Sequence, residues 1–425
     1  MMTAVVNAHY LNKVIELSDA MPVIATEDVY DARGNKLLAK GARVTQALQE
    51  KLILHKLTKP IETSLSVQGG VNANLIVQTT ERLLDTNKPL ASVMAVCSGM
   101  GPSPAALFSP LQFGGAMTMM LTIIDRAGGQ AFEHAVTVGI LATCFAKQMK
   151  LNVEAQQHCA LAGLLHDIGE LYIDPAFFTP GRPLLPHEWA HLVVHPKTGQ
   201  MLIDEFDHYP KEVGRAVAEH HERLDGSGYP RRAQALTISP IGQALAAAES
   251  VSGMLNAEHG LERAELALKL MVREHDKVML NTVAKAKRHL REEVREPFEA
   301  VAGVPTTELY QHIGTALEMN QALASATGLS AATKATLATV GERLQLIQRA
   351  AISLGLNVSL IPEGTDSFDG LLLFEYSVAS REIRWRLRDL GRELALLSCT
   401  QGEHAILQTL TLLLHPPLEP AAAAA

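Results

Sequence analysis

The chain has 425 residues, 47% of them hydrophobic, and a formal charge of −8 from 45 acidic and 37 basic side chains. That length predicts about two or three domains with sizeable cores. The acidic balance argues against wholesale binding of DNA or RNA, while leaving room for a locally positive nucleotide pocket. Four cysteines lack Cys-x-x-Cys spacing, no signal-like run opens the chain, and no apolar stretch approaches the roughly 20 residues of a membrane helix. These features predict a cytoplasmic protein without membrane insertion.

In chain order, residues 9–18 fit the start of either a strand or a helix. Residues 23–30 alternate imperfectly, DARGN at 31–35 is a turn signal, and an apolar run resumes at 36–39, which predicts a hairpin. A helix is predicted from Thr45, as its cap, to about Leu57, with Leu48, Leu52 and His55 on one face. A second spans 74–84. GMGPSP at 99–104 breaks the chain and is the best candidate boundary. Residues 116–126 read as a buried helix, broken or kinked by the glycines at 128–129. Residues 132–150 follow as a helix with His134, Val138 and Leu141 at helical spacing. The next runs from Val153, with Glu154 in its first turn, to His166-Asp167. Pro175 and Pro180 interrupt, and Pro186 starts another helix. There His187, His191 and His195 are spaced to share one face, with His187 and His191 read as exposed or supporting groups.

Residues 261–272 and 278–294 read as helices and 297–305 as a linker. Two long helices follow, at 307–326 and 331–354. Their Ala/Leu content suits a dimerising bundle, hence a homodimer, and ordinary intramolecular packing equally well. Residues 358–361 and 371–376 read as strands flanking PEGTDSFDG. Residues 381–397 fit helix or strand, 407–414 is an apolar run, and the terminal alanines read as disordered.

The chemistry concentrates between Phe132 and Met254: EH at 133–134, LLHDIGE at 164–170, HP at 195–196, EHHERLDGSGYP at 219–230 and AAAESV at 246–251. Imidazoles and carboxylates are the normal nitrogen and oxygen ligands of zinc, iron and manganese. Adjacent side chains on a helix diverge by about 100°. Neither His166-Asp167 nor His220-His221 can therefore aim both members at one ion without distortion. Two neighbouring ions with an aspartate between them resolve that geometry.

These motifs, in this order, closely resemble the HD-GYP family of HD-domain metal phosphohydrolases, over residues 125–290. The resemblance implies a mainly α protein: a helical metal-binding domain at 105–298, a small mixed α/β accessory module at 1–100, a helical or mixed region at 305–418 and a tail at 419–425. It implies transition-metal ions, iron or manganese, and hydrolysis of cyclic di-GMP or a related cyclic dinucleotide in bacterial signalling, with signalling proteins as partners. By the same resemblance, one ion takes His134, His166, Asp167 and Glu249. The second shares Asp167 and adds His195, His220 and His221. Asp167 is thus the expected catalytic bridge. Arg182, Tyr229, Arg231 and Arg232 are the candidate substrate-binding residues, with Tyr229 read as support for the site's rim. The amino-terminal module is read as either a regulatory element or a structural appendage.

Four departures from the family pattern shape the expectation. Gln130 stands where a third ion's glutamate would be, which predicts two ions. Glu249 replaces an aspartate. Glu170 and Thr179 replace two lysines expected to meet phosphate. The leading expectation is a metal-dependent phosphodiesterase, weak or altered. The alternatives are a catalytically silent metal-binding receptor or scaffold and, with less support, a di-iron redox enzyme.

Overall fold

The protein is described by a computed structural model over residues 5–127, 130–179, 182, 184–206, 209–270, 273–293, 306–356, 370–397 and 400–414. It is mainly α and divides into two compact units. One comprises residues 1–184, 191–264 and 273–293; the other comprises 185–190, 265–272 and 294–425.

The first unit opens with α1 (Ala8–Ala20), capped by Asn7, whose side chain accepts from the Tyr10 amide. The undecided stretch 9–18 is therefore helical, with Tyr10, Leu11, Val14, Ile15 and Leu17 buried along one side. Next come β1 (Val23–Ala25), β2 (Val29–Tyr30) and β3 (Lys36–Leu38). β2 and β3 form the predicted hairpin. The Asp31 carboxylate holds its turn, accepting from the Arg33 and Asn35 amides at 2.9 and 2.8 Å, as turn aspartates do.

The helix expected over 45–57 is shorter. Thr45 makes no capping bond, residues 46–48 form a 3-10 turn, and α2 (Gln49–Leu54) stops early. Leu57 is fully buried and bridges back to Asp31, which pulls the chain out of the helix. β4 (Leu65–Val67) then pairs antiparallel with β1, a long-range pairing that local pattern does not show.

α3 (Ala73–Thr86) and α4 (Lys88–Val96) are capped by Asn72 and Asn87. GMGPSP does not separate compact units: Ser103 caps the short α5 (Pro104–Phe108), and both flanks lie in the same unit. α6 (Gly115–Arg126) leads into α7 (Ala131–Gln148), where every residue from Ala135 to Lys147 is buried. A helix apolar on all sides must sit in a core. Around it pack α8 (Val153–Leu165) and, later, α12 (Pro240–Leu255). α7 and α8 meet at Gly139 and Gly163, where a Cβ on Gly163 would lie 2.3 Å from the Gly139 Cα. Only glycine permits that approach.

After α8, residues 168–172 form a 3-10 turn. α9 (Pro186–Leu192) ends before α10 (His195–Phe206) begins. The three imidazoles at 187, 191 and 195 therefore do not share one helical face. Pro196, in the first turn of α10, cannot continue the preceding helix. α11 (Lys211–Glu219) packs on α8, α10 and α12. α13 (Gly260–Leu270) and α14 (Lys277–Glu293) follow.

The second unit contains α15 (Thr306–Ala324), α16 (Ala331–Ser353), α17 (Gly370–Ala395) and α18 (Gln401–Leu413). The strand expected over 371–376 is overturned, because it is the first part of α17. The apolar run LLLFEY looks extended locally. From Tyr376 onward, however, Ala379, Ile383, Leu387, Leu390 and Leu394 recur every three or four residues and enter the core with Leu337, Val340 and Leu344 of α16. That periodicity fixes a helix, and it also settles 381–395 as helical. The strand expected at 358–361 and the terminal alanines lie outside the described residues.

Candidate metal centre

The same local device aims three histidines. His166 follows the last turn of α8, His195 follows α9, and His220 follows α11. In each, Nδ1 donates to the carbonyl three residues back: Gly163 at 2.8 Å, Leu192 at 2.8 Å and Val217 at 2.6 Å. A nitrogen beside a carbonyl must carry the proton, so the neutral ring presents a bare Nε2 lone pair.

Those lone pairs converge. His166 Nε2 lies 3.2 Å from His134 Nε2, and His195 Nε2 lies 3.1 Å from His220 Nε2. Between the pairs stands Asp167. Its Oδ2 is 2.9 Å from His166 and 3.8 Å from His134, and its Oδ1 is 3.6 Å from His195 and 3.5 Å from His220. One oxygen thus faces each imidazole pair. Glu249 Oε2 lies 3.1 Å from His134 Nε2 and 3.3 Å from His166 Nε2, so the extra methylene still reaches the cluster. That oxygen is buried and makes no well-formed hydrogen bond.

Two donor sets result, each with its ligand atoms within 4.8 Å of one another: His134, His166 and Asp167, and Asp167, His195, His220 and His221. Facing lone pairs and an orphaned carboxylate oxygen are costly in a buried site without cations. The arrangement fits divalent metal ions, and its nitrogen-rich donors suit a transition metal.

The electrostatics agree. Burial works against the charged forms of Asp167 and Glu249, yet neighbouring imidazoles hold both carboxyls well below the usual range: His166 and His220 for Asp167, His134 and His166 for Glu249. Burial also opposes charge on His166, but Asp167 and Glu249 outweigh it and raise this imidazole well above its ordinary value. Burial, then His220, lowers His195 to about 4. Burial, His220 and His195 push His221 well down. Glu133, one residue before His134, points elsewhere and pairs with Arg82 at 2.9 Å.

The DGSGYP loop backs the histidines. The Tyr229 ring stacks on His221, with centroids 4.6 Å apart and planes 28° apart, and meets His195 edge-on. Its amide donates to the His221 carbonyl at 3.1 Å. A Cβ on Gly228 would lie 2.3 Å from that carbonyl oxygen, and one on Gly169 would lie 2.1 Å from the His195 carbonyl oxygen.

Two acids flanking the His220-His221 doublet escaped sequence reasoning. Glu219, fully buried, accepts from Arg215, Arg231 and both the amide and hydroxyl of Ser239. Glu222 accepts from the Arg231 and Ala233 amides, both at 2.8 Å. They anchor the exit of the loop and the start of α12. The pattern Glu-His-His-Glu at the end of an apolar helix was the available signal.

The expected substrate-side residues are dispersed in role. The Arg231 guanidinium lies on Glu219 at 3.0 Å. Arg182 and Arg232 are exposed, Arg182 beside the Phe177 ring and Arg232 at a positive φ of 53°. Thr179 is exposed too. Glu170 is close enough to Asp167 and Glu249 to feel both: burial first, then Asp167, raises its carboxyl well above the usual range.

The HD domain family model matches residues 118–283. The 3'3'-cGAMP-specific phosphodiesterase 1 of Vibrio cholerae is 33% identical over 144 residues, 33% of this chain and 32% of the relative. A cyclic di-GMP phosphodiesterase of Pseudomonas aeruginosa is 35% identical over 113 residues, 26% of this chain and 27% of the relative. The chain thus spans about a third or less of the length of these two relatives. A solved structure of Bd1817, an HDG"Y"P protein of Bdellovibrio bacteriovorus, aligns with 62% of this chain and 95% of its own, at 15% identity and a TM-score of 0.34. With HDIG at 166–169, the histidine doublet at 220–221 and an intact DGSGYP, residues 118–283 are similar to HD domains and, in these motifs, to the HD-GYP family.

Proposed function

We propose that the site hydrolyses a phosphodiester bond of cyclic di-GMP or a related cyclic dinucleotide with the help of two divalent cations, iron or manganese. The observation that carries this reading is the pair of facing, bare Nε2 contacts with one Asp167 oxygen turned to each. In this reading His134, His166, Asp167 and Glu249 hold one cation, and Asp167, His195, His220 and His221 hold the other. The cations supply Lewis acidity and lower the pKa of water. The chain's own part is orientation. Backbone carbonyls fix the imidazole tautomers, Asp167 sets the spacing of the two halves, and Tyr229 holds the His221 ring. The names of the relatives support the substrate class.

Of the arginines, Arg231 already serves Glu219. Glu170 favours the second reading, a metal-binding but catalytically silent receptor or scaffold, because it stands where the family pattern has a lysine expected to meet phosphate. Turnover of cyclic di-GMP by manganese-loaded full-length protein separates the readings. Hydrolysis that disappears in Asp167→Asn supports the enzyme. No hydrolysis of cyclic di-GMP or 3'3'-cGAMP with either manganese or iron rejects it. Activity only in Glu170→Lys identifies residue 170 as the charge that silences a scaffold.

A further inference from the structure

The 3-10 turn at 168–172 begins directly after Asp167 and is gripped from two sides. On one side Gly169 lies against the start of α10. A Cβ there would come within 2.1 Å of the His195 carbonyl oxygen and 2.9 Å of the Gly199 nitrogen, so a shift that way meets backbone. On the other side stands the amino-terminal module, which engages every part of Tyr172. Asn7 Nδ2 donates to the Tyr172 carbonyl at 3.1 Å. The Tyr10 ring stacks on the Tyr172 ring, with centroids 5.0 Å apart and planes 7° apart. The Tyr172 hydroxyl donates to the buried Glu62 carboxylate at 2.6 Å. Lys13 Nζ adds a bond to the Glu170 carbonyl at 3.2 Å.

The turn is short and closed on itself. The Glu170 amide donates to the Asp167 carbonyl at 2.9 Å, and the Ile173 amide to the Glu170 carbonyl at 3.1 Å. A displacement at Tyr172 therefore passes back to Asp167. That residue depends on its main chain for its aim. His166, His195 and His220 are each held by a bond to a carbonyl behind the ring. Among the described residues, the Asp167 carboxylate has only imidazoles within ion-pair distance, the very groups it must be set between. Asp167 also belongs to both donor sets, so its position bears on both candidate cations.

We propose that Tyr172 is a positioning residue for the candidate centre: held by Asn7, Tyr10 and Glu62, it fixes the main chain that aims Asp167, so that the amino-terminal module completes the metal-binding machinery. The proposal rests on the metal-site reading and gives the module a part in it.

The experiment is calorimetric titration of metal-free full-length protein with Mn2+ alone, beside a thermal melt of each variant. Asn7→Asp keeps the side-chain acceptor that caps α1 and loses the donor to Tyr172. It should weaken Mn2+ binding at both sites by about fivefold, the worth of one hydrogen bond. Tyr172→Phe keeps the stack, loses the bond to Glu62 and should weaken both sites by a similar factor. Tyr172→Leu loses both contacts and should cost about tenfold or more. If it does not fold, Asn7→Asp and Tyr172→Phe decide the matter. Ser18→Ala is the control, because it breaks a bond within the module, to the Val44 carbonyl at 2.6 Å. It should lower Tm and leave Mn2+ affinity unchanged. Affinities within about twofold of wild type in both Asn7→Asp and Tyr172→Phe overturn the proposal, whatever their Tm. So does weakening at one site only, or equal weakening in Ser18→Ala. Failure of the wild-type protein to bind Mn2+ removes the metal-site reading and this proposal together, whereas Mn2+ binding that ignores Asn7 and Tyr172 removes this proposal alone.

Discussion

His166 is where protons and the proposed cations compete most directly. Burial opposes charge on it, but Asp167 and Glu249 raise its pKa well above the ordinary imidazole value. A cation bound at Nε2 must expel any proton held there. Mn2+ added to weakly buffered, metal-free protein at pH 7 should therefore acidify the solution, and apparent affinity should rise with pH through the neutral range. His195, lowered to about 4, is already deprotonated there and should contribute nothing to the release. A pH-electrode titration checks both, and release unchanged in His166→Asn would refute the assignment. Tyr229 gives a second test. Its stacking on His221 needs the ring rather than the hydroxyl, so Tyr229→Phe should keep Mn2+ affinity and Tyr229→Ala should lower it severalfold. The histidines and Asp167 were legible in the sequence because their chemistry is narrow, whereas the expectation that neighbours in a doublet cannot serve one ion fails, since His220 and His221 fall in the same donor set. Glu219 and Glu222 were not, since glutamates near a helix end normally face solvent and their partners lie up to 20 residues away.

α7 and α8 show what a helical pattern conveys and what it omits. Their existence, approximate bounds and burial follow from unbroken apolar composition. Their separation does not, because it depends on Gly139 and Gly163 meeting across the interface. Gly163→Ala places a methyl group against backbone that cannot rotate away. The expected cost is about 2–3 kcal/mol, at the upper end for overpacking, seen as a lower urea midpoint without a change in slope. The shift should carry over to metal affinity, since His166 follows α8 by one residue. α17 teaches the converse. Six residues from Leu371 resemble a strand when read alone, and the correct element emerges only when the apolar spacing is followed to Leu394. The early end of α2 has the same origin, because Leu57 is claimed by a contact with Asp31 rather than by its neighbours in sequence.

The amino-terminal hundred residues share a compact unit with the HD domain, so a sequence break at 99–104 is not a place to cut. Tyr10, Leu11, Val14 and Ile15 of α1 are buried, and each such side chain contributes about 1.5–3 kcal/mol when covered. A fragment beginning at residue 105 loses that cover over Leu171 and Tyr172. It should be insoluble or lack a cooperative thermal transition, whereas residues 1–293 should melt cooperatively. Circular dichroism of the two fragments tests this, and a cooperative, metal-binding 105–293 fragment would show the module to be dispensable. Among the described residues, no helix is long and apolar enough to cross a membrane.

The hydrogen bonds from His166, His195 and His220 to the carbonyls behind them do more than select a tautomer. Each gives a carbonyl in the last turn of a helix a side-chain donor, and at Val217 it adds to the bond from the His220 amide. These histidines are therefore employed twice, once by the folded chain and once by any ion that binds. Replacing one by alanine removes a helix stop, at a cost of about 1 kcal/mol, along with a ligand, and the two losses are confounded in an activity assay. The same double employment means that a lineage could stop using the metal and still keep these imidazoles, held in place by folding alone.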